Sequence, residues 1–302
     1  MRIGTSLTSA HGVEDHRDGA RWLIERARVA AAADLDLLSL GDHHATGPMP
    51  YYQGVPMLGR LLAEWTCKPA GCLFLLPLWH PLIVAEQVGT LASIHDGQFV
   101  IQTGVGGGDA QFGAMGKSLR TRGGDIEESI RIIDALLKGE SVSSERYRMR
   151  DAQIAPLPSQ PIEWWLGGRA PAAMDRAARV SGILYTGPSP LETAAVDVEG
   201  FLAACDRVGR EPVKMIMRQD VVIAATDAVA EALAAPVLER GYRGMPQSAL
   251  AIGSPDTVAA HFDQFRQLGY SEISARQMAI PQSAALESIE LLATVRDLMG
   301  DD

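Results

Sequence analysis

The stretch LSLGDHHATGP, residues 38–48, runs from small and apolar residues into Asp42-His43-His44 and then into a Gly-Pro loop. A carboxylate beside two imidazoles at the end of a buried run is a set of groups that can do chemistry. Imidazole titrates close to neutrality, so it can give a proton or stabilise a developing anion. Histidines can also hold a metal, and His43, His44 and His80 form a candidate set, with His95 as a further member. A metal site needs three or four converging ligands, and neither HxH nor HExxH spacing occurs. The bland alternative is an exposed pair of loop histidines. The proton-donor reading of His43, with Asp42 and His44 beside it, is preferred, and no metal is expected.

Other residues sit where apolar runs end. GVGGGD (104–109) begins at Gly104 directly after Thr103. Without Cβ atoms, Gly104 and Gly106 let a flat ring or a phosphate approach the backbone closely. The run is not a GxGxxG opening a helix, so it does not support a dinucleotide fingerprint. WWLGGRAP (164–171) places Gly167, Gly168 and Arg169 before a proline-started helix, and helix N–H groups with a guanidinium make an anion site. An ordinary turn is the competing reading. Thr186 and Arg276 end two more runs. Tyr51 and Trp79 are aromatics that either line a ligand cavity or belong to the core, and Cys72 packs within its run.

The elements around these residues alternate. RIGTSL (2–7), LDLLSLG (35–41), AGCLFLLPL (70–78), QFVIQTG (98–104), PIEWWLGG (161–168), ILYT (183–186), VKMIMRQDVVIAA (213–225) and EISARQM (272–278) read as strands. Their near-continuous apolar character suits strands covered on both faces. Helical patterns follow them, among them 16–34, 54–66, 80–97, 124–138, 191–208, 226–240 and 283–299. Pro81 and Gly97 suit the start and the end of the third. About eight βα units predict a closed (β/α)₈ barrel, with residues 1–302 as a single domain. Residues 140–160 read as a polar insertion with a small hairpin. In such a barrel the strand ends that carry these residues share one rim.

Composition narrows the partners. The 302 residues carry a formal charge of −10, and no dense Lys/Arg cluster occurs, which argues against nucleic acid and anionic membrane. Three cysteines without a CxxC pair fit a reducing cytoplasm. No window reaches the length of a membrane span.

Together, GDHH, the block LFLLPLWHPLIVAEQVGTLASIHDGQFVIQTGVG (73–106), WWLGGRAPAAMDRAAR and IGSPDTVAAHFDQFRQLG (252–269) resemble the bacterial luciferase-like flavin oxidoreductases across nearly the whole chain. The resemblance implies a luciferase-like TIM barrel, with insertions at the C-terminal face, that binds FMN or the deazaflavin F420. The ring would rest against the third and fourth strands. A bulge and a non-proline cis peptide are expected near Cys72-Leu73, behind the ring. The cofactor phosphate would lie by Gly167, Gly168, Arg169 and Thr186, and Thr103, Gly104 and Gly106 would border the ring. His43 matches the catalytic histidine, and Asp42 stands where the family usually has Glu. Asp109 matches an acidic proton donor of the F420 branch, whereas His44 is common among the oxygen users. Tyr51, Trp79, His80 and Arg276 are the candidate substrate contacts.

The implied activity is reduction or monooxygenation of a small organic substrate. O₂ and a separate flavin reductase are partners in the FMN case, and a homodimer forms through 54–66 and 80–95. A metal-dependent hydrolase on His43, His44 and His80, or a barrel that binds ligand without catalysis, are the alternatives.

Overall fold

Eight parallel strands close on themselves in the computed structural model, which describes residues 1–300. The strands in chain order are β1 (Arg2–Leu7), β2 (Leu38–Leu40), β3 (Ala70–Phe74), β4 (Phe99–Thr103), β5 (Val142–Ser144), β6 (Met149–Ala152), β7 (Glu163–Gly167), β8 (Ile183–Thr186), β9 (Lys214–Ile223), β10 (Leu250–Gly253) and β11 (Glu272–Gln277). The helices are α1 (His16–Ala32), α2 (Gly54–Leu61), α3 (Pro81–Ile94), α4 (Asp109–Ala114), α5 (Arg122–Leu137), α6 (Pro171–Val180), α7 (Leu191–Val208), α8 (Asp227–Leu238), α9 (Pro255–Leu268) and α10 (Gln282–Met299). The barrel runs β1-β2-β3-β4-β7-β8-β9-β11 and returns to β1. The fold is therefore the expected closed (β/α)₈ barrel.

Two features lie outside the eight-unit pattern. The 140–160 insertion is the antiparallel hairpin β5–β6. The short strand β10 pairs with the upper half of β9, from Leu250↔Asp220 to Gly253↔Ile223, and extends the sheet outside the closure. The 70–78 run also divides: β3 ends at Phe74, and Leu76–Leu78 turns into a 3-10 helix around Pro77. Proline lacks the N–H that a ladder needs, so the strand cannot continue through it.

The cis peptide anticipated near Cys72-Leu73 is not there. β3 keeps an unbroken parallel register on β4, Cys72 opposite Ile101 and Leu73 opposite Gln102, which leaves no bulge to absorb an altered bond. Among the described residues, the cis bond is Ala155–Pro156.

Side chains alternate in and out of the barrel along each strand. Leu37, Val100, Trp165, Ile183, Tyr185 and Ile216 meet inside and form a packed plug. The outward residues, such as Leu38, Cys72, Ile101 and Leu184, join the larger core under the helices. Gly71 shows how tight this is: a Cβ there would lie 2.1 Å from the Val100 carbonyl oxygen. The plug closes the lower barrel, so a ligand can enter only above it, where the strands end.

Candidate active site

Above the plug lies a cavity of about 660 Å³. That size suits a cofactor or a drug-sized ligand. Tyr185 belongs to both the plug and the cavity floor. The wall is built from the ends of β1, β2, β3, β4, β9 and β11 and from the loop after α8.

On the β2 side, Gly41-Asp42-His43 lines the cavity. Asp42 is 2% exposed, yet it is well satisfied. Its Oδ2 accepts the Leu75 backbone N–H and the Trp79 indole N–H, both at 2.8 Å. The turn created by Pro77 places both donors there. His44 turns away from the cavity. Its ring packs edge-on to Trp79 at 5.1 Å, and its Nε2 lies 3.1 Å from Asp42 Oδ1.

His43 is left facing the cavity. Its ring stands edge-on to Tyr51 at 5.5 Å, and its carbonyl accepts from the Gln53 side chain. The ring is open to the cavity but surrounded by protein atoms, and this burial lowers its pKa below 6.5. The Gln111 side chain and Asp42 oppose the shift, while Arg243 and Arg276 reinforce it. At neutral pH the imidazole is therefore neutral. It can donate from one nitrogen and accept at the other. Tyr51 is held as the neutral phenol, because burial and the charge on Asp42 both raise its pKa.

The β3–β4 side offers Leu73 and Gln102, which are paired in register and line the cavity. Gln102 is 2% exposed, and its Nε2 has no partner. A buried amide donor without an acceptor is costly, so this group marks where a ligand's acceptor fits. The fit to a planar heteroaromatic ring rests on this pair: an apolar side chain for the ring face and an orphaned donor for its polar edge.

The β9–β11 side carries arginines. Arg218, Arg243 and Arg276 line the cavity together with Tyr242. Behind them Asp220, 0% exposed, accepts from Tyr242 Oη at 2.9 Å and from Arg276 at 2.5 Å.

The anticipated residues thus divide. The structure brings Asp42, His43, Tyr51, Leu73 and Arg276 to one cavity. The others lie around or behind it. Trp79 positions Asp42. Cys72 points outward into the core, where burial raises its thiol pKa. The Thr103 hydroxyl donates to the Phe74 carbonyl at 3.0 Å. The Thr186 hydroxyl sits among Met217 and Tyr270 in the outer core. Asp109 is exposed at the start of α4. His80 is exposed and packs on Tyr147 at 5.5 Å.

Gly104, Gly106, Gly167 and Gly168 form the rim on the β4–β7 side. Gly168 holds φ +139, and a Cβ there would lie 2.7 Å from Ala173 Cβ, so only glycine fits. Arg169 is not a free anion ligand: its Nε donates to Asp197 at 2.6 Å and a terminal nitrogen to the Gly187 carbonyl at 2.5 Å. His43, His44 and His80 do not converge, and among the described residues no group of three His, Cys, Asp or Glu side chains could hold a metal ion.

Arg218, Tyr242, Arg243 and Tyr185 are cavity residues that the sequence reading does not reach. Arg218 and Asp220 did leave a trace, as charges at alternate positions inside the apolar run KMIMRQDVVI. In a barrel strand, such alternation marks the inward face.

The family described as "Luciferase-like monooxygenase" matches residues 1–272. An F420-dependent glucose-6-phosphate dehydrogenase of Nakamurella multipartita is 29% identical over 182 residues, covering 55% of this chain and 53% of that protein. The chain spans about half the length of such curated relatives, or less. The crystal structure of the monooxygenase RslO1 from Streptomyces bottropensis superposes with a TM-score of 0.84 at 19% identity, covering 97% of this chain and 98% of that one. An F420-dependent secondary alcohol dehydrogenase in complex with an F420-acetone adduct superposes at 0.80 with 14% identity, covering 99% of both chains. At these identities the two structures bear on the fold.

Proposed function

The chain belongs to the luciferase-like monooxygenase family, and from that premise we propose that it is an oxidoreductase acting on a small organic molecule with a non-covalently held FMN or F420. The observation that carries this reading is that His43 and the orphaned Gln102 donor line one cavity. F420 is the first candidate, because the relative similar in sequence over half the chain uses it. When bound, the cofactor supplies a hydride in the F420 case, or activates O₂ in the reduced FMN case, where a separate flavin reductase serves as partner.

The chain's own residues bind, orient and move protons. Leu73 offers an apolar face and Gln102 Nε2 a hydrogen bond to an acceptor on a ring edge. The backbone at Gly104, Gly106, Gly167 and Gly168 leaves room for the tail of the cofactor. His43 stabilises or protonates the anion that develops on the substrate. Asp42 fixes the strand end that presents His43. Asp109, on the glycine loop, is the candidate second proton donor. The working unit is the whole chain as one domain. A second copy docks on the face where Ile83 and Ile94 of α3 stand exposed, and three free cysteines suit the cytoplasm.

Separate fluorescence titrations with F420 and FMN test this reading. One of them binds the wild-type protein, and Leu73→Trp, which fills the cavity beside β3, weakens that binding by at least tenfold, or about 1.4 kcal/mol, while the circular dichroism spectrum is unchanged. Failure of both cofactors to bind, or binding indifferent to Leu73→Trp, overturns it.

A further inference from the structure

The proposed function leaves the β9–β11 wall without a role, and this wall has an unusual charge balance. Arg218, Arg243 and Arg276 all line the cavity, whereas their shared counter-ion does not. Asp220 sits behind them, fully buried, with Arg218 Nε 3.2 Å from Oδ1, Arg276 2.5 Å from Oδ2 and Arg243 4.0 Å from Oδ2. Asp42, which does line the cavity, faces Leu75, Trp79 and His44 at the β2 end. Three guanidiniums therefore share one carboxylate inside a protein whose net charge is −10. Placing surplus positive charge in a concave, low-dielectric site costs free energy unless an anion joins it.

The donors are also shaped for an anion. Guanidiniums present planar forks that match the two oxygens of a carboxylate or phosphate. Tyr242 adds a phenol to the same wall and Tyr185 one at the floor beside it, and both are kept protonated because burial raises their pKa. Arg243 is held at φ 53, a left-handed conformation that a non-glycine residue adopts at a cost, directly after Tyr242. The wall lies on β9 and β11, across β1 from the β2 end that carries His43.

We infer that Arg218, Arg243 and Arg276 form an oxyanion subsite for the substrate, which is a small organic molecule bearing a carboxylate or a phosphate. The anionic head docks on β9–β11, and the reacting carbon is held between His43 and the cofactor face at Leu73 and Gln102. The inference names the substrate class of the site described above and rests on that reading.

Calorimetric titration of the cofactor-loaded protein with benzoate, phenyl phosphate and neutral benzamide tests it. At least one of the two anions binds about tenfold or more tightly than benzamide, as expected for charge-assisted hydrogen bonds. Whichever anion binds identifies the head group. Arg243→Gln, at an exposed loop position, weakens that anion by about tenfold and leaves cofactor affinity unchanged. Arg218→Gln does the same wherever it folds, as judged by circular dichroism. Equal binding of benzamide and both anions overturns the inference. So does loss of cofactor affinity in Arg243→Gln, which assigns the arginines to the cofactor. If neither F420 nor FMN binds, the titration is run on the cofactor-free protein. Arginine-dependent anion binding there upholds the subsite while the oxidoreductase reading fails, and its absence removes both.

Discussion

Asp42 reaches from the end of β2 to the turn after β3 and accepts the Trp79 indole N–H at 2.8 Å on the same oxygen that accepts the Leu75 N–H. The two bonds tie the strand end that presents His43 to the segment that follows Leu73. A single buried carboxylate thus couples the end of β2 that carries His43 to the Leu73 side of the cavity.

Asp42→Ala leaves the Leu75 and Trp79 donors without an acceptor. An unsatisfied buried donor costs about 1–3 kcal/mol. Chemical denaturation is expected to show a loss in this range or above, and Asp42→Asn, which keeps one acceptor oxygen, is expected to lose less. Because Asp42 acts through position, turnover in Asp42→Asn falls through kcat rather than through cofactor affinity.

At the foot of the barrel, Glu272 is 1% exposed, and neither carboxylate oxygen has a hydrogen-bond partner. Arg2 lies 3.8 Å away. Burial raises the Glu272 pKa to about 7. A raised carboxylate pKa means that the folded protein binds the proton more tightly. The associated stability is therefore present below 4.5 and is lost as pH rises toward 7. Between pH 5 and pH 8 this group alone removes about 2 kcal/mol. Urea denaturation at the two pH values is expected to show that loss in the wild type, and Glu272→Gln flattens it.

His11 works in the opposite direction. It is 6% exposed, packs against Trp22 and Tyr52, and its Nε2 has no partner. Burial, reinforced by Arg26, lowers its pKa to about 4. The stability it contributes is present above 6.5 and is lost as pH falls toward 4. From pH 7 to pH 5 the loss is about 2 kcal/mol. His11→Phe keeps a ring in place and is expected to remove that acid sensitivity in the same denaturation series.

Much of this architecture can be read from the residues before any coordinates. Apolar runs such as QFVIQTG and ILYT have nowhere to sit but a strand covered on both faces, and each is followed by an amphipathic pattern. GDHH marks a strand end because a carboxylate and two imidazoles cannot continue a buried run. The same logic reaches Tyr51 and Arg276, and the family resemblance reaches Leu73; the barrel brings all three to the cavity.

It does not reach residues whose role depends on a distant partner. Arg169 looks like a free anion ligand until Asp197, on the next helix, takes its guanidinium. Thr103 and Thr186 end strands as anticipated, but the in–out alternation turns their hydroxyls to a backbone carbonyl and into the outer core. Tyr242 and Arg243 come from a loop whose sequence has no periodicity, and only the closure of β9 on β11 gives them a wall to join. Strand β10 is four residues long, too short to show a pattern of its own.

The most direct test of the account is the rate of substrate turnover by His43→Ala loaded with whichever cofactor binds. A positioned general acid contributes about 10²–10⁴-fold. The account predicts a fall of at least a hundredfold in kcat, with cofactor affinity unchanged. Near-normal turnover in His43→Ala would contradict it.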